Sequence, residues 1–433
     1  MVVGRHGIDF PADIDGLRAA GTGFLTTAFR TSGALSPDNA VTRIEELTEV
    51  GGGSTGRKAL LTVGYARPEP ALHTRLFVKF SRDFGDPVRD GGRFQMESEV
   101  RLANLALSPA FPIAVPRTQF ADYHADSGTG ILITERIEFG CNGIEPQYHK
   151  ARDHRMPDQF GHYRALLSAV AALAGTQQSG VLPKDVVERF PLDLRGATVG
   201  DPRPMTPNKL SRRLDQLAEF AAAQPDLLPE RARDPAFLRR LAAEAPLLLA
   251  REEDVWADLA ARPDYIALCH WNANVDNAWF YRAADGELAC GLMDWGCVGR
   301  MNVAMAIWGA LCAAETTLWD AHFDDLLEVF ADGVRRHGGA DLDPAVLGRL
   351  VLRYAAVMGM AWLLDVPARL RTRLGPDPGV LTRPDPRIAD DEGLRAPLQM
   401  LANLLNLWAG RPPGEVLDAA VRGRPGGGTP RIR

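Results

Sequence analysis

The spacing of apolar residues changes once along the chain, and this change limits the folds that the chain can adopt. Before residue 137, short stretches of alternating apolar and polar residues predict strands, and two stretches with helical spacing predict helices. From residue 160 onward, long segments rich in Ala and Leu predict helices. We therefore expect an α+β protein with two lobes, for which 433 residues provide enough chain.

The first region, residues 1–137, predicts an antiparallel sheet with one helix packed against it. Its predicted elements are, in order, helix 13–30, strands 40–48, 59–66 and 76–80, helix 93–107, and strands 117–123 and 130–137. A run of glycines, Gly51-Gly52-Gly53, followed by Ser54-Thr55-Gly56, separates the first two strands. Such a run predicts a tight turn with little side-chain cover.

The second region, residues 138–420, predicts a larger and mainly helical lobe, and residues 421–433 predict a flexible tail. Two short β-like segments, 265–280 and 288–295, interrupt the helices around a polar loop. We expect a hairpin there, with its turn at residues 284–286, which would bring the residues at its two ends side by side.

Charge and composition exclude several classes of partner. The net charge of −6 leaves no basic footprint for nucleic acid. No apolar run approaches the roughly 20 residues that span a membrane, and the first residues lack the pattern of a signal peptide. The five cysteines show no spacing typical of a metal site. We therefore expect a cytoplasmic protein whose partner is a small-molecule substrate, without nucleic acid or membrane.

Two polar residues at the ends of the predicted hairpin indicate phosphoryl-transfer chemistry. Asn277 precedes the hairpin and Asp294 follows it. Amide and carboxylate oxygens are ligands that Mg²⁺ prefers, and phosphoryl transfer uses such an ion to bridge phosphates. In the first region, Lys79 stands in an apolar strand, where lysine is unfavourable unless it is paired or used.

The order and spacing of these residues resemble the aminoglycoside phosphotransferase and choline kinase-like family. The stretch 269–277 (CHWNANVDN), followed by Asp294-Trp295, is similar to the catalytic and metal loops of that family. The opening helix, the glycine-rich turn, Leu-Phe-Val-Lys and the Glu-Val-Arg helix most resemble its ecdysteroid-kinase-like branch. The resemblance extends over about residues 13–410 and implies a two-lobed protein-kinase-like fold.

The resemblance also implies roles for individual residues in an ATP- and Mg²⁺-dependent phosphotransferase that acts on a small hydroxylated compound. Lys79 would contact the α- and β-phosphates, and Glu99, or alternatively Glu97, would hold Lys79 in an ion pair. His270 would support the catalytic loop, and the segment ending near Glu135 would bind adenine through its backbone. The glycine-rich turn would cover the phosphates with Gly52, Gly53, Ser54 and Thr55. The metal ligands would be Asn277 and Asp294.

Two positions depart from the family pattern. Asn272 stands where the family has the Asp that accepts the proton of the substrate hydroxyl, and Ala304 replaces a supporting Asp. An amide cannot act as a base, although it can orient a hydroxyl, so Asp276 is the alternative proton acceptor. Two other interpretations therefore stay open: a pseudokinase-like nucleotide- or ligand-binding protein, and an enzyme that performs another transfer such as adenylylation.

Overall fold

The structure, a computed structural model, describes residues 2–52, 55–69, 72–196 and 204–411. Gly53, Ser54 and the predicted tail at 421–433 lie outside these ranges. The described residues form a sheet lobe followed by a mainly helical lobe, which confirms the predicted α+β class and the two-lobed, protein-kinase-like arrangement.

The first lobe contains a five-stranded antiparallel sheet. Its elements are β1 (Val2–Val3), β2 (Asp9–Phe10), α1 (Ile14–Thr31), β3 (Val41–Val50), β4 (Arg57–Tyr65), β5 (Arg75–Phe80), α2 (Pro87–Gly91), α3 (Gln95–Leu105), β6 (Thr118–His124) and β7 (Thr129–Glu135). The strand order is β3-β4-β5-β7-β6, and β1 pairs separately with β2. The predicted boundary after residue 137 falls just beyond the end of β7.

The sheet presents one face to a hydrophobic core and the other to the second lobe, because successive side chains of a strand point to opposite sides. On β5, Leu76, Val78 and Phe80 pack into a core that also contains residues of α1. Lys79 lies between two of them and therefore points to the opposite face. Part of that second face is covered by α3, through a small cluster of Met96, Val100, Ala103, Ala121 and Leu132.

The second lobe is mainly helical. Its helices are α4 (Gln159–Gln178), α5 (Lys184–Val187), α6 (Pro207–Ala223), α7 (Glu230–Arg233), α8 (Pro235–Leu249), α9 (Glu252–Ala260), α10 (Val303–Leu311), α11 (Thr316–Arg336), α12 (Pro344–Trp362), α13 (Val366–Leu374), α14 (Pro386–Ala389) and α15 (Glu392–Gly410). Its strands are β8 (Ile266–His270), β9 (Ala278–Arg282), β10 (Leu288–Leu292) and β11 (Val298–Asn302).

These four strands form two antiparallel pairs, β9 with β10 and β8 with β11. The first pair is the predicted hairpin. The loop between β8 and β9 therefore lies beside the loop between β10 and β11. The centre of the lobe is formed by α4, which packs against α11, β8 and β10, and by α10, all nine residues of which are buried.

One helical segment, Pro344–Leu374, is long and apolar enough to cross a membrane by length and composition. Most of its apolar stretch is buried inside the lobe, as in core helices of globular proteins, so the segment is weak evidence for a membrane span.

Candidate active site

Lys79 connects the two lobes at the cleft between them. Its Nζ donates to Glu99 Oε1 of α3 at 2.6 Å and to Asp294 Oδ1, beyond β10, at 2.7 Å. Glu97, the alternative partner predicted from the sequence, instead forms an ion pair with Arg101 one turn along α3. The structure therefore brings Lys79, Glu99 and Asp294 together.

The electrostatics of this contact keep Lys79 and Asp294 charged. Burial disfavours the ammonium group, but the carboxylates of Asp294 and Glu99 outweigh burial and raise the pKa of Lys79 above its ordinary value. The charge of Lys79 in turn lowers the pKa of Asp294 below the usual range of a carboxyl group. Asp294 is thus an ionised carboxylate near neutral pH, the form that binds a cation.

The backbone of Asp294 is left-handed, with φ 63° and ψ 61°. This conformation costs a residue other than glycine roughly 1–3 kcal/mol and persists only where neighbouring contacts enforce it. Two such contacts flank it: Met293 N–H donates to Asn277 O at 2.9 Å, and Trp295 N–H donates to Glu99 Oε1 at 3.2 Å. The backbone conformation of Asp294 and the hydrogen bonds of its two neighbours in the chain therefore fix the orientation of its carboxylate.

Asn277 and Asp294 lie at the same end of the β9–β10 hairpin. Ala278 pairs with Leu292 in the last rung, so the residues just beyond the two strands are neighbours. Asn277 Nδ2 donates to Asn272 O at 2.8 Å, and this bond leaves Oδ1 as the atom with which Asn277 can bind a cation. One carboxylate and one amide oxygen fit Mg²⁺, which takes few protein ligands and keeps several waters.

His270 fixes the loop that carries Asn272. It is fully buried, its Nε2 donates to Met293 O at 3.0 Å, and its Nδ1 accepts from Asn272 N–H at 3.2 Å. Burial lowers the pKa of His270 to about 4, so the ring is neutral, in agreement with one donating and one accepting nitrogen. The ring also packs against Trp295, with centroids 4.5 Å apart. His270 thus ties the catalytic loop to the metal loop.

Asn272 lines the cleft, but its side-chain oxygen Oδ1 already accepts a hydrogen bond from within the loop. The buried Asn274 donates from Nδ2 to Asn272 Oδ1 at 2.8 Å, so Asn272 presents Nδ2, a donor, to a ligand. Asp276, the alternative proton acceptor, also lines the cleft and forms an ion pair with Lys150 at 3.2 Å.

Ala304 lies in the first turn of α10, fully buried. Its N–H donates at 3.0 Å to Oδ1 of Asn302, which caps the helix, and Asn302 Nδ2 donates to Leu259 O at 2.9 Å. Further along α10, a Cβ added to Gly309 would lie 1.6 Å from the carbonyl oxygen of Trp271. The helix therefore supports the catalytic loop through close backbone packing, without a carboxylate at position 304.

Arg89 of α2 contacts the two described sides of the glycine-rich turn, at Gly52 and at Gly56. Gly52 has φ +100°, and its carbonyl accepts from Arg89 Nη2 at 3.4 Å. The same guanidinium donates to the carbonyl of Gly56. Thr55 packs on Gly92, where an added Cβ would lie 2.4 Å from its methyl group. Gly52 itself is exposed. It lines neither the cavity at Lys79 and Asp294 nor the smaller cavity beside Thr55.

The segment after β7 borders the cleft. The N–H of Glu135 donates to Arg117 O at 2.8 Å, and the N–H of Arg136 donates to Arg75 O at 3.1 Å. Both amides are thus engaged within the sheet lobe. The next amide belongs to Ile137, which lines the cleft. A backbone N–H of this segment that donates to a planar base would therefore be that of Ile137 or of a later residue.

A cavity of about 1080 Å³ joins these parts of the site. This volume is at the upper end of the usual range for small-molecule pockets. The charged and amide groups of Lys79, Asn272, Asn277 and Asp294 line it. The sheet lobe provides one apolar wall, formed by Leu60, Phe77 and Leu132. The helical lobe provides the other, formed by Trp271, Met358, Trp362 and Met400.

The structure adds one residue that the sequence did not predict, Lys58 of β4. It pairs directly with Lys79 across the strands and lines the same cleft. Burial, together with the charge of Lys79, lowers the pKa of Lys58 below its ordinary value, although Asp294 and Glu99 act in the opposite direction. The sequence contains one signal for it, a second lysine directly before the predicted strand 59–66, which precedes the strand of Lys79 along the chain.

No protein-family profile and no curated protein matches the chain. Among solved structures, it is similar to a choline/ethanolamine kinase family protein from Mesorhizobium loti, with 17% identity, 92% of this chain and 98% of that chain covered, and a TM-score of 0.38. It is also similar to a microcompartment-associated aminopropanol kinase (14% identity, 92% and 98% covered, TM-score 0.43). A third is a spectinomycin phosphotransferase solved with ADP and spectinomycin (10% identity, 85% and 93% covered, TM-score 0.40). At such identities and TM-scores, the functional proposal depends on the geometry of the site itself.

Proposed function

We propose that the protein is a cytoplasmic phosphotransferase that uses ATP with Mg²⁺ to phosphorylate a small hydroxylated compound. One observation carries this proposal: a buried lysine from the sheet lobe, paired with Glu99, meets Asp294 of the helical lobe in the cleft that Asn277 also lines. A fixed ammonium beside two oxygen ligands for a hard cation suits a polyphosphate that binds together with its metal.

The residues of the cleft divide the work of binding and orientation. Asn277 and Asp294 would hold Mg²⁺, and Lys79 would place its positive charge on the phosphates while Glu99 keeps it in position. When bound, the metal ion neutralises the charge of the phosphates and fixes their orientation. The apolar wall of the sheet lobe would bind the adenine base of ATP. The apolar wall of the helical lobe would bind the substrate that receives the phosphate.

Transfer does not require a carboxylate at position 272. The transition state of phosphoryl transfer is loose, so positioning and charge neutralisation supply most of the acceleration. Asn272 would donate from Nδ2 to an oxygen of the substrate that receives the phosphate, or to a phosphate oxygen. This hydrogen bond would orient the group that accepts it. The hydroxyl proton would pass to an oxygen of the transferred phosphoryl group or to water, and the reaction would be slower than with a base in place.

A specific observation favours a second function, nucleotide binding without transfer. The side-chain oxygen of Asn272 already accepts a hydrogen bond from Asn274, and Asp276 forms an ion pair with Lys150. A protein with this cleft would keep Lys79, Asn277 and Asp294 for binding and lack a group that accepts the proton. This is the pseudokinase-like alternative.

Phosphate transfer from labelled ATP to a panel of alcohols, phenols and amines distinguishes the two functions. We expect the wild type to transfer phosphate slowly. Asn272→Asp should raise the rate about 10- to 100-fold, the lower part of the range for general-base catalysis, because the transition state is loose. Asn272→Ala is the matched control and should be slower than the wild type.

The other outcomes are equally informative. An inactive wild type with an active Asn272→Asp variant would establish the binding protein instead of the enzyme. If the wild type is active and Asn272→Asp leaves its rate unchanged on every acceptor, position 272 is not the site of a lost base. If neither protein transfers phosphate to any acceptor, the proposed phosphotransferase activity is wrong.

A further inference from the structure

We propose that Lys58 is a second phosphate-binding lysine, which contacts the polyphosphate of the bound nucleotide beside Lys79. This inference rests on the proposed nucleotide-binding function and adds a residue to it. It follows from the register of two strands, from the ion pairs around Lys79 and from the use of lysine in the chain.

The register of β4 and β5 places the two lysines side by side. Lys58 and Lys79 are direct cross-strand partners in this antiparallel pair. Partners of this kind point to the same face, with Cβ atoms about 4.5–5.5 Å apart, and like charges in such a pair are destabilising. Both residues line the main cavity and also a smaller one of about 50 Å³ beside the glycine-rich turn. An anion bound between the two ammonium groups, on the face that both side chains share, would relieve this repulsion.

Because Lys79 already forms ion pairs with two carboxylates, Lys58 is the lysine of this pair that can bind an added anion. Lys79 donates to Glu99 and to Asp294. Within the described ranges, the ammonium group of Lys58 forms no hydrogen bond or ion pair, while its backbone belongs to the ladder between β4 and β5. The charges of these four groups sum to zero, and without Lys58 the sum would be negative. Lys58 therefore adds positive charge to the site, beside that of the divalent cation which Asn277 and Asp294 would hold, and so favours a polyphosphate.

The distribution of lysine in the chain agrees with this assignment. The chain has 49 lysines and arginines, of which five are lysine, so arginine occupies the other 44 (49 − 5). Three of the five lysines, Lys58, Lys79 and Lys150, line the cleft. Lysine carries a compact charge on a flexible stem, whereas arginine is a planar fork. The cleft thus collects three compact ammonium groups in a chain that carries mostly arginine.

Titration calorimetry with Mg-ATP and with adenosine tests the proposal on the full chain. Lys58→Met should weaken Mg-ATP binding roughly 10- to 100-fold, the range expected for loss of a charge-assisted hydrogen bond. Adenosine binding should change by less than about twofold, because adenosine carries no phosphate. Lys58→Arg, which keeps the charge, should retain most of the Mg-ATP affinity. Lys184→Met is the matched control, since Lys184 is exposed on the surface, and should change neither ligand.

Each contradicting result has a distinct meaning. If Lys58→Met binds Mg-ATP as the wild type does, Lys58 does not contact phosphate, while the proposed function stands. If Lys58→Met loses Mg-ATP and adenosine equally, the residue has a structural role and the inference is wrong. If the wild type itself binds no Mg-ATP, both the inference and the proposed nucleotide-binding function are wrong.

Discussion

The polar side chains of the catalytic loop form hydrogen bonds within the loop, and these converge on Asn272. Asn277 donates to Asn272 O, Asn274 donates to Asn272 Oδ1, and His270 accepts from Asn272 N–H. Buried polar groups of this kind are stable only when each finds a partner. Substitution of one member therefore disturbs the others, and the loop acts as a single rigid unit beside Asp294.

Protonation of His270 should break this unit, and we expect a corresponding pH dependence of stability. The pKa of His270 is about 4 in the folded protein, against an ordinary value of 6.5, so the unfolded chain binds the proton first as the pH falls. The contribution of neutral His270 is therefore fully present above about pH 6.5 and is lost towards about pH 4, a change of up to about 3 kcal/mol.

Urea unfolding of the wild type and of His270→Gln measures this contribution. Glutamine can still donate to Met293 O but does not titrate. The stability advantage of the wild type over the variant should therefore shrink as the pH falls from about 7 to about 4. Parallel stability curves for the two proteins over this interval would contradict the neutral, buried assignment of His270.

The sequence predicts some residues of the site and not others, for a physical reason. Lys79, Glu99, Asn277 and Asp294 stand at informative places, in an apolar strand, on a helix or at strand ends, and the structure brings the first two and Asp294 into contact. The role of Lys58 depends on strand register, which spacing along one strand does not reveal. The choice between Glu99 and Glu97 likewise required the helix orientation.

At the level of secondary structure, α10 positions the catalytic loop through one close contact. The carbonyl of Trp271 lies against Gly309, where even a methyl group would clash at 1.6 Å. The indole of Trp271 also donates to Tyr354 Oη of α12 at 2.6 Å. Glycine at position 309 is therefore required by the approach of the loop, and not by a special backbone conformation.

Gly309→Ala tests whether this contact positions the loop. Overpacking of a buried contact typically costs about 1–3 kcal/mol, so the free energy of unfolding should fall by that amount, and nucleotide binding should weaken as the loop moves. Gly23→Ala in α1 is the matched control, because an added Cβ there meets nothing within 4 Å. This exposed helical position should gain up to about 1 kcal/mol from alanine. A Gly309→Ala variant as stable as the wild type would refute the close contact.

The sequence predicts long elements better than short ones. The five strands of the sheet, α1 and α3 appear within a few residues of their predicted bounds, because each carries several repeats of its period. The sequence does not predict strands β1, β2 and β11. The first two have only two residues each, and β11 is buried at four of its five positions, so it lacks alternation.

At the scale of the whole molecule, the contact between Lys79 and Asp294 connects residues that are 215 positions apart in the sequence. Each lobe has its own hydrophobic core. The cleft between the lobes is therefore lined from both sides, and its charged groups meet only when the two lobes come together. The central claim is that this meeting point binds a polyphosphate together with a divalent cation.

Isothermal titration with ATP, in the presence and absence of Mg²⁺, tests this claim most directly. We predict that Mg²⁺ strengthens ATP binding by about tenfold or more, or about 1.4 kcal/mol, in the wild type. Asp294→Ala should remove this dependence, because the carboxylate ligand is lost, whereas the exposed-site control Asp15→Ala should keep it. Equal affinity for ATP with and without Mg²⁺ in the wild type, or no binding when Mg²⁺ is present, would contradict the account.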